Sequence, residues 1–262
     1  MKKLIEELET SISDEKIIFT HVPKTSGTSF FKSVIEPNYE NNQIFRLKGL
    51  KMLSLENFKA SKSSVKVVTG HIKYGAHHIF PCKSKYITFL RCPIERAVSH
   101  YYFIKDSDPK IYEHPYRKFA DSVSLEKFYE NPFFRNMQSQ YIAGYMSSLF
   151  YKRTSDKLIS ESILENVAYQ NLSRKYVSFG ILENFEDSCR IITKKLKLEN
   201  RLSTISHKKT SKRPKVQDLS QKTIDSLKQS NSVDLELYRK AQELLGGRIQ
   251  MMREGLRSRK KG

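Results

Sequence analysis

Apolar positions along this chain recur in two periods, and the switches between them outline a series of strand–helix units. Ile17-Ile18-Phe19-Thr20-His21-Val22 is a short β-branched and aromatic run, and an apolar helical pattern then continues from Phe30 to Ile35, where Pro37 is expected to stop it. Helical spacing returns from Leu47 to Phe58. Strand signals follow at Val65-Lys66-Val67-Val68-Thr69 and at Lys85-Tyr86-Ile87-Thr88-Phe89-Leu90. Pro93 suits the first turn of a helix predicted to reach Ile104, because proline lacks only a donor that the first turn leaves unpaired anyway. The Pro- and Asp-rich stretch from Lys105 to Arg117 reads as a mobile loop.

Residues 124–170 read as mostly helical, with Tyr141, Tyr145, Phe150, Tyr151 and Tyr169 assigned to core packing rather than to stacking on a sugar. A strand near Tyr176 and a helix from Phe185 to Leu196 come next. The last helix is expected from Val233 to Leu245, with Gly246-Gly247 as its stop. Alternating strands and helices predict an α/β fold, and the length suffices for one domain with a full core. We place that domain at 1–247, followed by a flexible tail at 248–262 that carries six basic residues against one acid. No internal repeat is evident.

The links between the elements carry the chemistry. Between the first strand and its helix lies Pro23-Lys24-Thr25-Ser26-Gly27-Thr28-Ser29. Loop amides and the positive end of a helix make an anion trap, to which Lys24 adds a full charge. Hydroxyls of Thr25, Ser26 and Thr28 are expected to donate to phosphate oxygens, and Gly27 to let the backbone approach closely. The lysine precedes the glycine, so this is not a Walker A loop, and Mg²⁺-dependent ATP chemistry is not indicated.

A second basic motif starts at Arg91, at the carboxyl end of a strand, where open α/β sheets hold their ligands. Eight residues on, Ser99 is expected to share a helix face with Arg96 and Tyr102. Together the two motifs suggest a ligand with two separated anionic groups.

These residues resemble the sulfotransferase family. The 23–29 segment looks like its 5′-phosphosulfate loop, and Arg91-Cys92-Pro93-Ile94-Glu95-Arg96-Ala97-Val98-Ser99 looks like its 3′-phosphate motif. The likeness is to the carbohydrate branch that includes heparan sulfate 2-O-sulfotransferase. It extends to Gly70-His71-Ile72-Lys73-Tyr74-Gly75, the 136–144 segment, Phe179–Glu186 and Asp234–Tyr238. Two departures are Cys92, where Asp is common, and Gln140, where a basic residue is common.

The resemblance implies a P-loop-like three-layer fold with a central, mainly parallel sheet flanked by helices. It implies 3′-phosphoadenosine 5′-phosphosulfate (PAPS) as donor, with 3′-phosphoadenosine 5′-phosphate (PAP) as product, and transfer to a hydroxyl of a carbohydrate or glycan-type acceptor, anionic or neutral. Lys24, Thr25, Ser26, Gly27, Thr28, Ser29, Arg91 and Ser99 would bind the nucleotide, with Lys24 stabilising the leaving phosphate. His71 would be the general base. Lys212 and Arg213, in a basic loop, would reach the 3′-phosphate or close over the adenine, unless that loop is simply solvated.

His21 is assigned to packing, and Glu183 to a structural role. His71, His77 and His78 lack a nearby Cys or carboxylate to complete a metal site, so no metal is expected. Sulfation of a small metabolite or lipid by the same chemistry remains open.

With 47 Lys and Arg against 28 Asp and Glu the net charge is +19, far beyond what one nucleotide needs. The surplus would steer acidic glycans, attract nucleic acid or an anionic membrane, or merely solvate the surface. No nucleic-acid recognition motif accompanies it. No apolar stretch approaches membrane-spanning length and Met1–Glu9 carries acids, so a soluble, cytoplasmic protein is expected. Three cysteines, Cys82, Cys92 and Cys189, fit reduced thiols.

Overall fold

The computed structural model describes residues 15–47, 64–78, 83–199 and 213–258. Five strands, β1 (Glu15–Thr20), β2 (Ile44–Leu47), β3 (Val67–Gly70), β4 (Lys83–Leu90) and β5 (Tyr176–Ile181), form one wholly parallel sheet in the order β2-β3-β1-β4-β5. β1 is central, with Thr20 opposite Gly70 on one side and Thr88 on the other. Parallel strands need long crossovers, and helices covering both faces explain why β1, β4 and β5 are buried along most of their length.

Alternate side chains of each strand enter different layers. Ile17, Phe19, Ile87 and Phe89 pack on one face against helix α1 (residues 27–38) and helix α8 (Phe185–Leu196). Ile18, Tyr86, Leu90 and Phe179 pack on the other face. That face is covered by α5 (Met137–Ala143), α6 (Tyr145–Arg153), α7 (Lys157–Arg174) and α10 (Ser232–Ser258). The fold is therefore three-layered, helix–sheet–helix. A third core gathers α2 (Pro93–Lys105), α3 (Arg117–Ser122), α4 (Leu125–Glu130) and α9 (Gln221–Ser230) around Phe128, Tyr129 and Leu227.

Three expectations change. β2 is a four-residue edge strand whose last residue, Leu47, stood at the start of the helix expected over 47–58; residues 48–58 lie outside the described ones. Helix α1 carries a π segment at Phe31–Ile35 and continues to Asn38, one residue past Pro37.

The last helix does not stop at Gly246-Gly247 but runs on to Ser258, so the boundary expected at residue 247 falls inside it. Two glycines in a helix cost roughly 1 kcal/mol each. Burial of Leu245 and Ile249 on one stripe, with a 2.8 Å ion pair from Arg253 to Asp187, offsets that cost and docks the segment.

Candidate active site

At the carboxyl edge of the sheet, β1 is followed by the lysine loop and α1, and β4 by Arg91 and α2. The chain leaves β1 toward β2 and β3 but leaves β4 toward β5, so the crevice between β1 and β4 is a topological switch point. The two motifs touch there: Arg91 Nη1 points at the Lys24 carbonyl oxygen at 3.4 Å.

Lys24 and Ser26 both adopt φ of +67°, the left-handed region that non-glycine residues seldom occupy. Such kinks turn successive amides toward one concavity, the backbone form of an anion nest. Lys24 Nζ stands 4.3 Å from the centroid of the Phe103 ring. Desolvation, then the charges of Arg91 and Arg213, pull its pKa down to about 8. Ser26 and Ser29 are half-buried and Thr28 is exposed, and none of these hydroxyls bonds another described residue.

Thr25 must be corrected. Its side chain is fully buried and its hydroxyl donates to the Val22 carbonyl at 2.9 Å, closing the turn rather than standing free to donate to a phosphate. Gly27 also has a packing role in this loop. A Cβ there would lie 2.1 Å from His21 Cδ2, so the missing side chain makes room for an imidazole.

Arg91 and Arg213 converge on Glu95. Arg91 Nη2 lies 3.0 Å and Arg213 Nη2 3.4 Å from Glu95 Oε2. Burial, then Arg213, lowers the Arg91 pKa, and Glu95 opposes the shift. Lys212 lies outside the described residues.

The stripe of α2 that faces the loop is Glu95, Ser99, Phe103, at four-residue spacing. Arg96, three residues before Ser99, turns away from the loop. Arg96 is fully buried, with Nη1 3.4 Å from Met137 Sδ. The arginine pair therefore meets the stripe at Glu95 and the Lys24 ammonium meets it at Phe103, two helix positions about 12 Å apart along the axis. Ser99, buried, lies between them.

Across β1, the first residues beyond β1 and β3 are His21 and His71, with ring centroids 4.7 Å apart. His21 stacks on Phe19, and burial, then the charges of His71 and Lys24, lowers its pKa to about 3, so it is neutral. His71 Nδ1 lies 2.8 Å from the His21 carbonyl oxygen. A carbonyl only accepts, so Nδ1 carries the proton and Nε2 holds a free lone pair. Desolvation lowers the His71 pKa, against the opposing effect of that hydrogen bond. His77 is turned away, with Nδ1 2.9 Å from the Tyr86 hydroxyl over the middle of the sheet.

The supports of Arg91 were not foreseen. Gln138 grips its backbone twice, accepting from Arg91 N–H at 2.9 Å and donating to Arg91 C=O at 3.0 Å. Asp234 fixes Gln138 in turn, accepting from the amides of Gln138 at 3.0 Å and Ser139 at 2.7 Å. Glu183 accepts from Cys92 N–H at 2.9 Å at the start of α2. The 136–144, Phe179–Glu186 and Asp234–Tyr238 segments thus supply the frame behind Arg91. A signal for Glu95 did exist in its four-residue spacing from Arg91. Gln138→Ala strips two hydrogen bonds from a half-buried backbone and is expected to cost about 1–3 kcal/mol of stability in denaturant unfolding.

Residues 11–241 match the model of the sulfotransferase family. The chain belongs to that family. Heparan sulfate 2-O-sulfotransferase 1 of Gallus gallus is 27% identical over 201 residues, covering 66% of this chain and 52% of that protein. Its Homo sapiens counterpart is 26% identical with the same coverage. The chain thus spans about half the length of the curated relatives it matches. A crystal structure of mouse sulfotransferase SULT7A1 complexed with PAP aligns with a TM-score of 0.42 and 15% identity, covering 90% of this chain and 71% of that one. Among the described residues no cluster of His, Cys, Asp and Glu could hold a metal ion, and no helix is long and apolar enough to cross a membrane.

Proposed function

We propose that this sulfotransferase moves a sulfuryl group from PAPS to a hydroxyl of a glycan-type acceptor, with His71 as general base and Lys24 at the leaving phosphate. One observation carries the reading. The Lys24 ammonium and the Arg91–Arg213 pair lie at opposite ends of one α2 stripe, with a neutral imidazole across β1. Two cationic ends suit a ligand with two separated phosphate groups, and the kinked loop offers amides to one of them.

In this reading Arg91, Arg213 and Ser99 hold the 3′-phosphate, and the amides of residues 24–28 hold the 5′-phosphate. Arginine's planar fork suits the static phosphate, and lysine's point charge suits an oxygen whose charge grows. Nε2 of His71 takes the acceptor's proton as the hydroxyl oxygen bonds sulfur. The S–O bond to the 5′-phosphate breaks, and its electron pair stays on the phosphate oxygen beside Lys24. In this reading the tasks run in sequence across the sheet edge: base after β3, leaving phosphate after β1, 3′-phosphate after β4.

The pH dependence follows. His71 must be neutral, so activity rises with pH through its lowered pKa, below the usual 6.5. Lys24 must be protonated, so kcat/KM falls as pH passes about 8. A bell with those limbs is expected, and kcat should hold to higher pH because bound phosphate raises the lysine's pKa. Incubation with ³⁵S-labelled PAPS and a panel of glycans, lipids and small alcohols tests the reading. Label should enter glycan; label confined to lipids or small alcohols contradicts the acceptor class, and no transfer to any acceptor contradicts the activity.

A further inference from the structure

Two residues beyond His71 lies a second cationic feature. Ile72 between them is buried while His71 and Lys73 are not. Lys73 Nζ donates to Ser148 Oγ, and Ser148 Oγ donates to Gln140 Oε1 at 2.8 Å. Gln140 is itself anchored, its amide donating to the carbonyls of Pro132 at 2.9 Å and Arg135 at 2.6 Å. Lys152 stands one helical turn from Ser148 on the same face of α6. Its Nζ lies 4.1 Å from the centroid of the half-exposed Phe133 ring.

Neither ammonium has a carboxylate within ion-pair distance among the described residues, and both are partly buried. Burial, then the charge of Lys152, lowers the Lys73 pKa to about 7, and burial lowers that of Lys152. Two partly desolvated cations without a counter-charge are unfavourable in the empty protein, and a bound anion relieves them.

We propose that Lys73 and Lys152 form a subsite for an anionic group of the acceptor, a carboxylate or a sulfate, beside the hydroxyl that His71 deprotonates. The proposal rests on the transferase reading above and adds the acceptor's charge and the residues that recognise it. Lys73 holds the anion against Ser148, and Lys152 closes the opposite side. An acceptor without that charge leaves two half-buried ammonium groups without a counter-charge, which is a penalty as well as a lost attraction.

Calorimetric titration of the full chain, saturated with PAP, tests it. The probes are an unsulfated uronate-containing oligosaccharide, the same oligosaccharide with its carboxylates reduced to alcohols, and a sulfated oligosaccharide without uronate. At least one acidic probe should bind tenfold or more tightly than the reduced one. Lys73→Gln and Lys152→Gln should each remove most of that preference with PAP affinity unchanged, and Lys73→Arg should retain it. Equal or absent binding of all three probes, or a preference surviving in the double Gln variant, overturns the subsite. Failure of PAP itself to bind overturns the donor reading instead, and the subsite with it.

Discussion

His71→Ala is expected to lower kcat by about 10²–10⁴-fold, the usual worth of a positioned general base, with PAP affinity unchanged. The size rests on preorganisation. The hydrogen bond from Nδ1 to the His21 carbonyl selects the tautomer, and the room at Gly27 lets the His21 ring stack on Phe19 and brace the neighbouring imidazole. His71→Gln retains a donor for that carbonyl but has no group of suitable basicity, so it should lose nearly as much. The acid limb of the pH profile should disappear in both variants. A kcat within tenfold of wild type, from variants that melt normally, would remove His71 from the mechanism.

Lys24→Met is the second large effect, with kcat expected to fall by about 10²–10³, as when one preorganised donor to a developing oxyanion is lost. Methionine keeps an unbranched stem over Phe103 and removes only the charge, which separates catalysis from packing. PAP affinity should fall by about tenfold or less, because the loop amides and the arginine pair remain. The charge matters most when the leaving oxygen becomes negative, so the loss belongs mainly to kcat. A variant with normal kcat and weakened PAP binding would make Lys24 a binding residue alone.

Much of the fold is written locally in the chain. β4, β5, α2 and α8 are continuous patterns with clear stops, and the helix expected from Phe185 to Leu196 has those bounds. Where the sequence misleads, packing over a distance decides. Gly246-Gly247 ends no helix because Leu245, Ile249 and Arg253 reach partners that local propensity does not register. β2 is too short, and too close to the neighbouring helical spacing, to be separated by period alone.

At the candidate site, the sequence marks which residues are chemically able but not where their bonds go. Thr25 looks like its neighbouring hydroxyls, and only the turn shows that it faces Val22. Gln138 and Asp234 were visible as fragments of a pattern without a task. Their partners lie 47 and 95 residues away, in contacts that the sheet and α5 create.

In the proposed site the lysine loop and the arginine pair grip one nucleotide. Calorimetric titration with PAP and with AMP, in wild type and in Arg91→Ala, tests it most directly. PAP is expected to bind at least a hundredfold tighter than AMP, and Arg91→Ala to erase most of this difference while changing AMP binding little. Equal affinities of wild type for the two nucleotides would contradict it.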